Sequence, residues 1–180
     1  MALSSTFLSE RHYKAIGLVA AEWSWAEQQL EQLIWEVVQI NGEKGRALTT
    51  HLSSETRINI LATLANTELS NTLKVELAGM VGRLRNLRTE RNNIVHALWL
   101  SREPLRMGLI KSAMKRGRKP TPDLIKITAK GKLVISNKPF TAKQILSVAH
   151  EISRLVMDLY DLQLRIQNER QSGGTGFSKP

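Results

Sequence analysis

An apolar residue recurs at every third or fourth position over residues 73–98, and this spacing constrains the fold more than any other feature. The series runs Leu73, Leu77, Met80, Leu84, Leu87, Arg91, Ile94 and Leu98. Such spacing places its members on one face of an α-helix, so it predicts a helix from about Leu73 to Trp99, which Pro104 closes. Arg91 is the single charge of this stripe.

The same period predicts a first helix over about residues 11–40, ended by Gly42. One acid, Glu27, interrupts its otherwise apolar stripe. A buried charge is tolerated only when it is paired. Glu27 and Arg91 are therefore predicted to form a structural ion pair between the two helices.

Two more helices complete the pattern. One is expected to begin at Ser53 or Ser54 and to end at the polar residues 66–71. The other begins at a capping box, Thr141-Ala-Lys-Gln144, and runs to about Asn168. The expected fold is therefore mainly α, an up-and-down bundle of about four helices with a small β-hairpin insertion before the last helix.

The expected domain organisation is a single helical domain over residues 1–170, followed by a disordered tail over 171–180. The β insertion covers about residues 105–140, where strand-like segments flank a turn at Gly131. The chain has no cysteine, which excludes disulfides, thiolate nucleophiles and cysteine-ligated metals. No apolar run is long enough for a membrane span or a signal peptide, so a cytoplasmic protein is expected.

Positive charge is concentrated in the insertion. Residues 105–140 contain ten Lys or Arg against one Asp, which is +9 of a net charge of +10. Four of these cations lie close together: Lys115, Arg116, Arg118 and Lys119. A local cationic field suits a polyanion such as nucleic acid. The alternative is a solvated loop that aids solubility.

The residues best suited to catalysis lie at the end of the predicted helix 73–99, in the segment Arg91-Asn92-Asn93-Ile94-Val95-His96. They provide a permanent cation, a carboxamide and an imidazole. On a helical wheel Asn92 and His96 lie about 40° apart and Arg91 and His96 about 140° apart, so Asn92 is expected to orient the imidazole. The Arg-x4-His spacing alone is weak evidence, because Arg46 and His51 share it in what reads as a loop.

The helical face of His96 also carries cations and an indole. Its expected members are Arg85, Arg88, Asn92, His96 and Trp99. Arginine forks can bind phosphates while Trp99 stacks on a base, which predicts an RNA-binding face. The alternative for Trp99 is packing in the core or in a dimer interface. No two histidines have metal-ligand spacing, so neither a metal site nor a cofactor is expected.

The segment Glu90-Arg-Asn-Asn-Ile-Val-His-Ala-Leu-Trp99 resembles the signature helix of the HEPN superfamily. In that motif an Arg is followed directly by a polar residue and, after four to six residues, by a His; Arg91, Asn92 and His96 match it. Residues 16–30 are also similar to small bacterial proteins that carry the motif. The resemblance implies a helical bundle that usually dimerises and, in many members, metal-independent endoribonuclease activity, often in toxins or antiphage effectors.

The resemblance leaves more than one function open. The first is an endoribonuclease that cleaves RNA through attack of the ribose 2′-OH, with His96 transferring protons and Arg91 stabilising charge on phosphorus. A two-fold homodimer would bring two imidazoles into one composite site. The second is a noncatalytic nucleic-acid-binding module. The third is a protein-interaction module, such as the partner of a toxin or of a defence-system subunit.

Overall fold

A computed structural model describes residues 8–100, 123–129 and 133–173 of the chain. This described part contains five helices: α1 Glu10–Val38, α2 Gly42–Thr49, α3 Ser54–Glu68, α4 Asn71–Val95 and α5 Ala142–Gly173. The mainly α prediction is confirmed, with five helices where about four were expected. None of the helices described here combines the length and apolar content needed to cross a membrane.

Three short strands complete the described part of the chain. They are β1 Leu98–Leu100, β2 Asp123–Ala129 and β3 Leu133–Pro139. They pair antiparallel in the order β1-β2-β3, with Trp99 opposite Leu124 in one pair and Ile127 opposite Ile135 in the other. The turn expected at Gly131 lies outside the described residues, as does the segment 101–122.

The chain divides into two compact units, and each is described by itself. The first unit contains the described residues 8–21, 89–100, 123–129 and 133–149. The second unit contains residues 22–88 and 150–173. The predicted single domain over 1–170 stays a prediction, and α5 continues to Gly173, past its expected end at Asn168.

The core of the second unit is made by the apolar stripes that the sequence displays. All five members of the α4 stripe that fall in this unit, residues 73, 77, 80, 84 and 87, are buried. The largest fully buried side chains of the unit are Trp23, Leu30, Leu33, Ile58, Leu61, Leu77, Leu84, Ile152, Leu155 and Leu159. Burial of side chains of this size contributes about 1.5–3 kcal/mol each.

Helix α3 runs parallel to α1, which differs from a strict up-and-down bundle. Ser54 Oγ donates to Glu27 Oε1, and one turn further along both helices Arg57 Nη2 lies 2.6 Å from Glu31 Oε1. Because the paired residue numbers rise together, the two helices point the same way. The chain must therefore return along α1 between Val38 and Ser54.

The return is made by α2, in a segment that the sequence indicated was a loop. Asn41 Oδ1 caps the new helix by accepting from Lys44 N at 3.0 Å. The helix then lies against Trp35, whose Nε1 donates to Thr49 Oγ1 at 3.1 Å. A Cβ atom placed on Gly45 would lie 2.5 Å from the Trp35 ring, so the absent side chain at Gly45 permits this contact. Gly42 was expected to end α1, but α1 ends at Val38 and Gly42 begins α2.

The remaining helices of the second unit alternate in direction. In the following pairs one residue number rises as the other falls: Asn59 with Arg85, Glu55 with Arg88, Glu76 with Arg165, and Arg83 with Asp158. Helix α4 is therefore antiparallel to α3 and to α5.

Two helix starts agree with the sequence. Ser53 Oγ accepts from Thr56 N at 3.1 Å and caps α3. At the start of α5, Thr141 N donates to Gln144 Oε1 at 2.8 Å and Gln144 N donates to Thr141 Oγ1 at 3.2 Å. This is the predicted capping box.

The end of α4 differs from the prediction. The helix stops at Val95, and Trp99 lies on strand β1 instead of on the face that carries Arg85 and Arg88. Leu98 continues the helical stripe, but strand pairing of residues 98–100 with β2 satisfies their backbone groups in another way. Tertiary pairing here overrides the local helical pattern.

Gly45→Ala should destabilise the protein, because the new methyl group meets the Trp35 ring and such overpacking costs about 1–3 kcal/mol. Gly82→Ala in α4 is the matched control, since a Cβ atom there meets nothing within 4 Å. It should stabilise by about 0.5–1 kcal/mol through helix propensity. Urea denaturation of both variants measures these changes. Equal stability of the two variants would contradict the Trp35–Gly45 contact.

Candidate active site

His96 lies on the turn that follows α4 in the first unit, and it is exposed. Its backbone N–H donates to Asn92 O at 3.2 Å, which extends the helical hydrogen bonding by one residue. Ile94 is fully buried and anchors the last turn. Trp99 Nε1 donates to Ile94 O at 3.1 Å, so the indole satisfies a carbonyl that the helix end leaves free. The helix end is thus held in place while the imidazole faces solvent.

Arg91 connects the two other members of the motif through a single nitrogen. Its Nη1 donates to Asn92 Oδ1 at 2.9 Å and lies 2.9 Å from His96 Nε2. A guanidinium can only donate, so Nε2 must accept this hydrogen bond. This hydrogen bond requires the tautomer that carries its proton on Nδ1.

The contact to the imidazole comes from Arg91, although the helical wheel assigned the orienting role to Asn92. The wheel places Cβ atoms and takes no account of the length of an arginine side chain, which reaches round the helix. Asn92 acts one step further back, since it accepts from the same Nη1 that contacts His96. The structure thus brings Arg91, Asn92 and His96 into one hydrogen-bonded chain.

The Nε of Arg91 is buried and has no hydrogen-bond partner in the described part of the chain. A buried donor without a partner costs about 1–3 kcal/mol. Among the guanidinium nitrogens, Nη1 is thus hydrogen-bonded to two described residues, whereas Nε has no acceptor among them.

Glu27, the predicted ion-pair partner of Arg91, is part of the second unit. There its Oε1 accepts a hydrogen bond from Trp23 Nε1 at 2.9 Å and another from Ser54 Oγ. These bonds explain an acid on an apolar stripe, because the carboxylate joins α1 to the start of α3. The Glu27–Arg91 ion pair stays a prediction.

The two arginines of the predicted RNA-binding face already have acidic or amide partners in the second unit. Arg88 is paired with Glu55, and Arg85 Nη2 donates to Asn59 Oδ1 at 3.0 Å. A phosphate at Arg88 would have to compete with a carboxylate. The four clustered cations Lys115, Arg116, Arg118 and Lys119 lie outside the described residues.

Sequence reasoning missed the charged pair of Arg57 and Glu31 in the second unit. Their side chains are only 10% and 16% exposed, and Arg57 Nη2 also donates to Thr49 O at 3.0 Å. Arg57 therefore satisfies a carbonyl at the end of α2 while neutralising an acid of α1. The signal in the sequence is a charge directly before Ile58 and four positions before Leu61, on the buried side of α3.

The second Arg-x4-His pair, Arg46 and His51, is placed differently from the first. Both residues are exposed and line an open groove of about 510 Å³ along α2. The described structure shows no hydrogen bond or ion pair that joins their side chains. The pair is thus a suitable internal control for Arg91 and His96.

The His96 ring should be protonated on Nδ1 at a pH where the imidazole is neutral, because Arg91 occupies Nε2. Long-range ¹H–¹⁵N correlation spectra of histidine-labelled protein identify the protonated nitrogen. Arg91→Met should remove this preference at His96 and leave the His51 signals unchanged. A proton on Nε2 of His96 in the unmodified protein would show that the contact is absent.

Comparison with known proteins gives no relative on which to base a function. No protein-family model matches the chain, and neither does a curated protein sequence or a solved structure. The chemistry of residues 91–99 is therefore the basis for proposing a function.

Proposed function

We propose that this protein is a metal-independent endoribonuclease whose catalytic residues are Arg91, Asn92 and His96. The observation that carries the proposal is the 2.9 Å contact between Arg91 Nη1 and His96 Nε2 at an exposed helix end. It puts a permanent positive charge beside an imidazole, the side chain that most often acts as a general acid or base. Cleavage of RNA by attack of its own 2′-OH uses both groups.

The reaction uses the nucleophile of the substrate itself. The ribose 2′-OH gives its proton to the imidazole of His96, and the 2′-oxygen forms a bond to the adjacent phosphorus. The bond from phosphorus to the 5′-oxygen breaks, and that oxygen takes up a proton. The products are a 2′,3′-cyclic phosphate and a free 5′-hydroxyl. Arg91 stabilises the negative charge that grows on the phosphoryl oxygens.

A homodimer supplies the second proton-transfer group. One imidazole, in its neutral form, accepts the proton of the 2′-OH, and the imidazole of a second copy, in its protonated form, gives its proton to the leaving 5′-oxygen. The His96 faces of two chains would approach across a two-fold axis and form one composite site. The HEPN resemblance of residues 90–99 extends the proposal to a toxin or phage-defence effector, with an antitoxin or defence protein as partner.

The insertion supports a second candidate function, a noncatalytic nucleic-acid-binding module. Nine of the ten net positive charges lie between residues 105 and 140, outside the catalytic motif. Lys115, Arg116, Arg118 and Lys119 would contact phosphates there, and Trp99 would stack on a base. This function requires neither His96 nor the 2′-OH.

Cleavage of labelled RNA should persist in excess chelator, fail on DNA of the same sequence, and leave a 2′,3′-cyclic phosphate. His96→Ala should lower the rate by about 10²–10⁴-fold through loss of proton transfer. Arg91→Lys should lower the cleavage rate by about 10²–10³-fold, because the ammonium of lysine cannot donate two parallel hydrogen bonds to a phosphate as a guanidinium does. Asn92→Ala should have a smaller effect, since Asn92 only holds Arg91.

The control for these variants is His51→Ala, which removes an imidazole at the same Arg-x4-His spacing and should leave the rate unchanged. Mixing the native chain with His96→Ala chains should reduce activity more than dilution does, because mixed dimers lack one imidazole. Full activity of His96→Ala would exclude the mechanism. A monomer in sedimentation at micromolar concentration would exclude the composite site.

Replacing Lys115, Arg116, Arg118 and Lys119 together by Gln should weaken RNA binding and flatten its dependence on salt. On single strands the slope of log K against log salt should fall by about 0.7 for each phosphate that the protein no longer neutralises. Binding measured at several KCl concentrations tests this. The matched control replaces four exposed cations elsewhere: Lys44, Arg46, Lys143 and Arg154. If both sets of four substitutions weakened RNA binding equally, the insertion would contribute only general positive charge and no specific phosphate contacts.

A further inference from the structure

Both hydrogens of Arg91 Nη1 are already in use in the described structure. One is donated to Asn92 Oδ1 and the other to His96 Nε2, each across 2.9 Å. An arginine nitrogen of this type has two hydrogens and no lone pair to accept a third partner. A further acceptor can bind Nη1 only if Asn92 or His96 releases it.

The nitrogens of Arg91 differ in how a ligand can reach them. Nε is buried, so a phosphate cannot approach it in this arrangement. Of the other two nitrogens, Nη1 is the one held in the hydrogen bonds to Asn92 and His96. A phosphate that binds the guanidinium with two oxygens must therefore use Nη2 and Nη1.

Of the two present acceptors of Nη1, His96 is the one that can leave. Asn92 is in the last full turn of α4, where its backbone position is fixed by the helix. His96 lies beyond that helix on an exposed turn. An anionic oxygen also forms a stronger hydrogen bond with a guanidinium than a neutral imidazole nitrogen does.

We propose that the Arg91–His96 contact blocks the proton-accepting nitrogen of His96 until a phosphate oxygen displaces it from Arg91. In the free protein, Nε2 has its lone pair in the hydrogen bond and cannot accept a proton from another group. When a phosphate binds Nη1 and Nη2, Nε2 is released beside the same phosphate. The ligand class is therefore a phosphate group, and the base becomes available only when that group is bound.

This inference rests on the proposed function, because it concerns the same two residues, and it adds a regulation that the cleavage mechanism does not require. Asn92 becomes a positioning residue, since it keeps Nη1 in place while His96 departs.

The ring nitrogens of His96 report the displacement directly. Histidine-labelled full-length protein is titrated with inorganic phosphate and, separately, with a short oligothymidylate, which has phosphodiesters but no 2′-OH and is not cleaved. Long-range ¹H–¹⁵N spectra should show Nε2 as a hydrogen-bond acceptor at the start. At saturation its signal should move to that of a free or protonated nitrogen, while the His51 signals stay in place.

Two variants test whether Arg91 is the residue that holds His96 Nε2 in the free protein. Asn92→Ala should retain the starting His96 signals and still respond to ligand, because Nη1 keeps its bond to Nε2. Arg91→Met should lose the starting pattern and no longer respond. If Arg91→Met does not fold, the titration of the unmodified protein and of Asn92→Ala still decides the question.

Each outcome has a definite consequence. A response to both probes supports displacement by any phosphate, and a response to the oligothymidylate alone supports displacement by a phosphodiester within a strand. Unchanged His96 signals with both probes overturn the inference, whether or not the probes bind. A response of the His96 signals without RNA cleavage would support the blocked base and contradict the ribonuclease function. RNA cleavage that needs His96, without such a response, would support the ribonuclease function and contradict the blocked base.

Discussion

The packing of the Trp35 ring on Gly45 determines the path of the chain through the second unit. Only a glycine lets α2 lie this close to α1. The chain then turns back along α1, and α3 begins beside Glu27 with the same direction as α1. The buried pair of Arg57 and Glu31 can form because of that direction. Side-chain pairs of α4 with α3 and with α5 hold α4 antiparallel to both.

Much of the helical structure could be predicted because apolar periodicity and capping residues are recognisable in the local sequence. The stripe of residues 73–87 is buried as its spacing indicated, and the caps at Ser53 and Thr141 form as their side chains predict. Helix α2 was missed because a glycine reads as a helix end unless the indole that packs on it is known. The end of α4 was missed because strand pairing of residues 98–100 depends on a distant part of the chain.

The structure brings together the three residues that the sequence suggested for a site, but their contacts differ from those expected. Spacing and type of residue select Arg91, Asn92 and His96, but a helical wheel describes directions from the backbone only. Arg91 and His96 lie about 140° apart on that wheel. The arginine side chain is long enough to reach round the helix to the imidazole. The partners of Arg85 and Arg88 could not be foreseen either, since Asn59 and Glu55 lie on a different helix. Side-chain reach and long-range packing are the information that periodicity lacks.

The second unit is discontinuous in sequence, because residues 22–88 and 150–173 belong to it and residues 89–149 do not. For the folding of this unit, the intervening segment is a closed loop of the chain. The entropy of loop closure grows slowly, at about 0.6 kcal/mol for each doubling of loop length. The length of this segment can therefore change at little cost to the packing of α5 on α1 and α4.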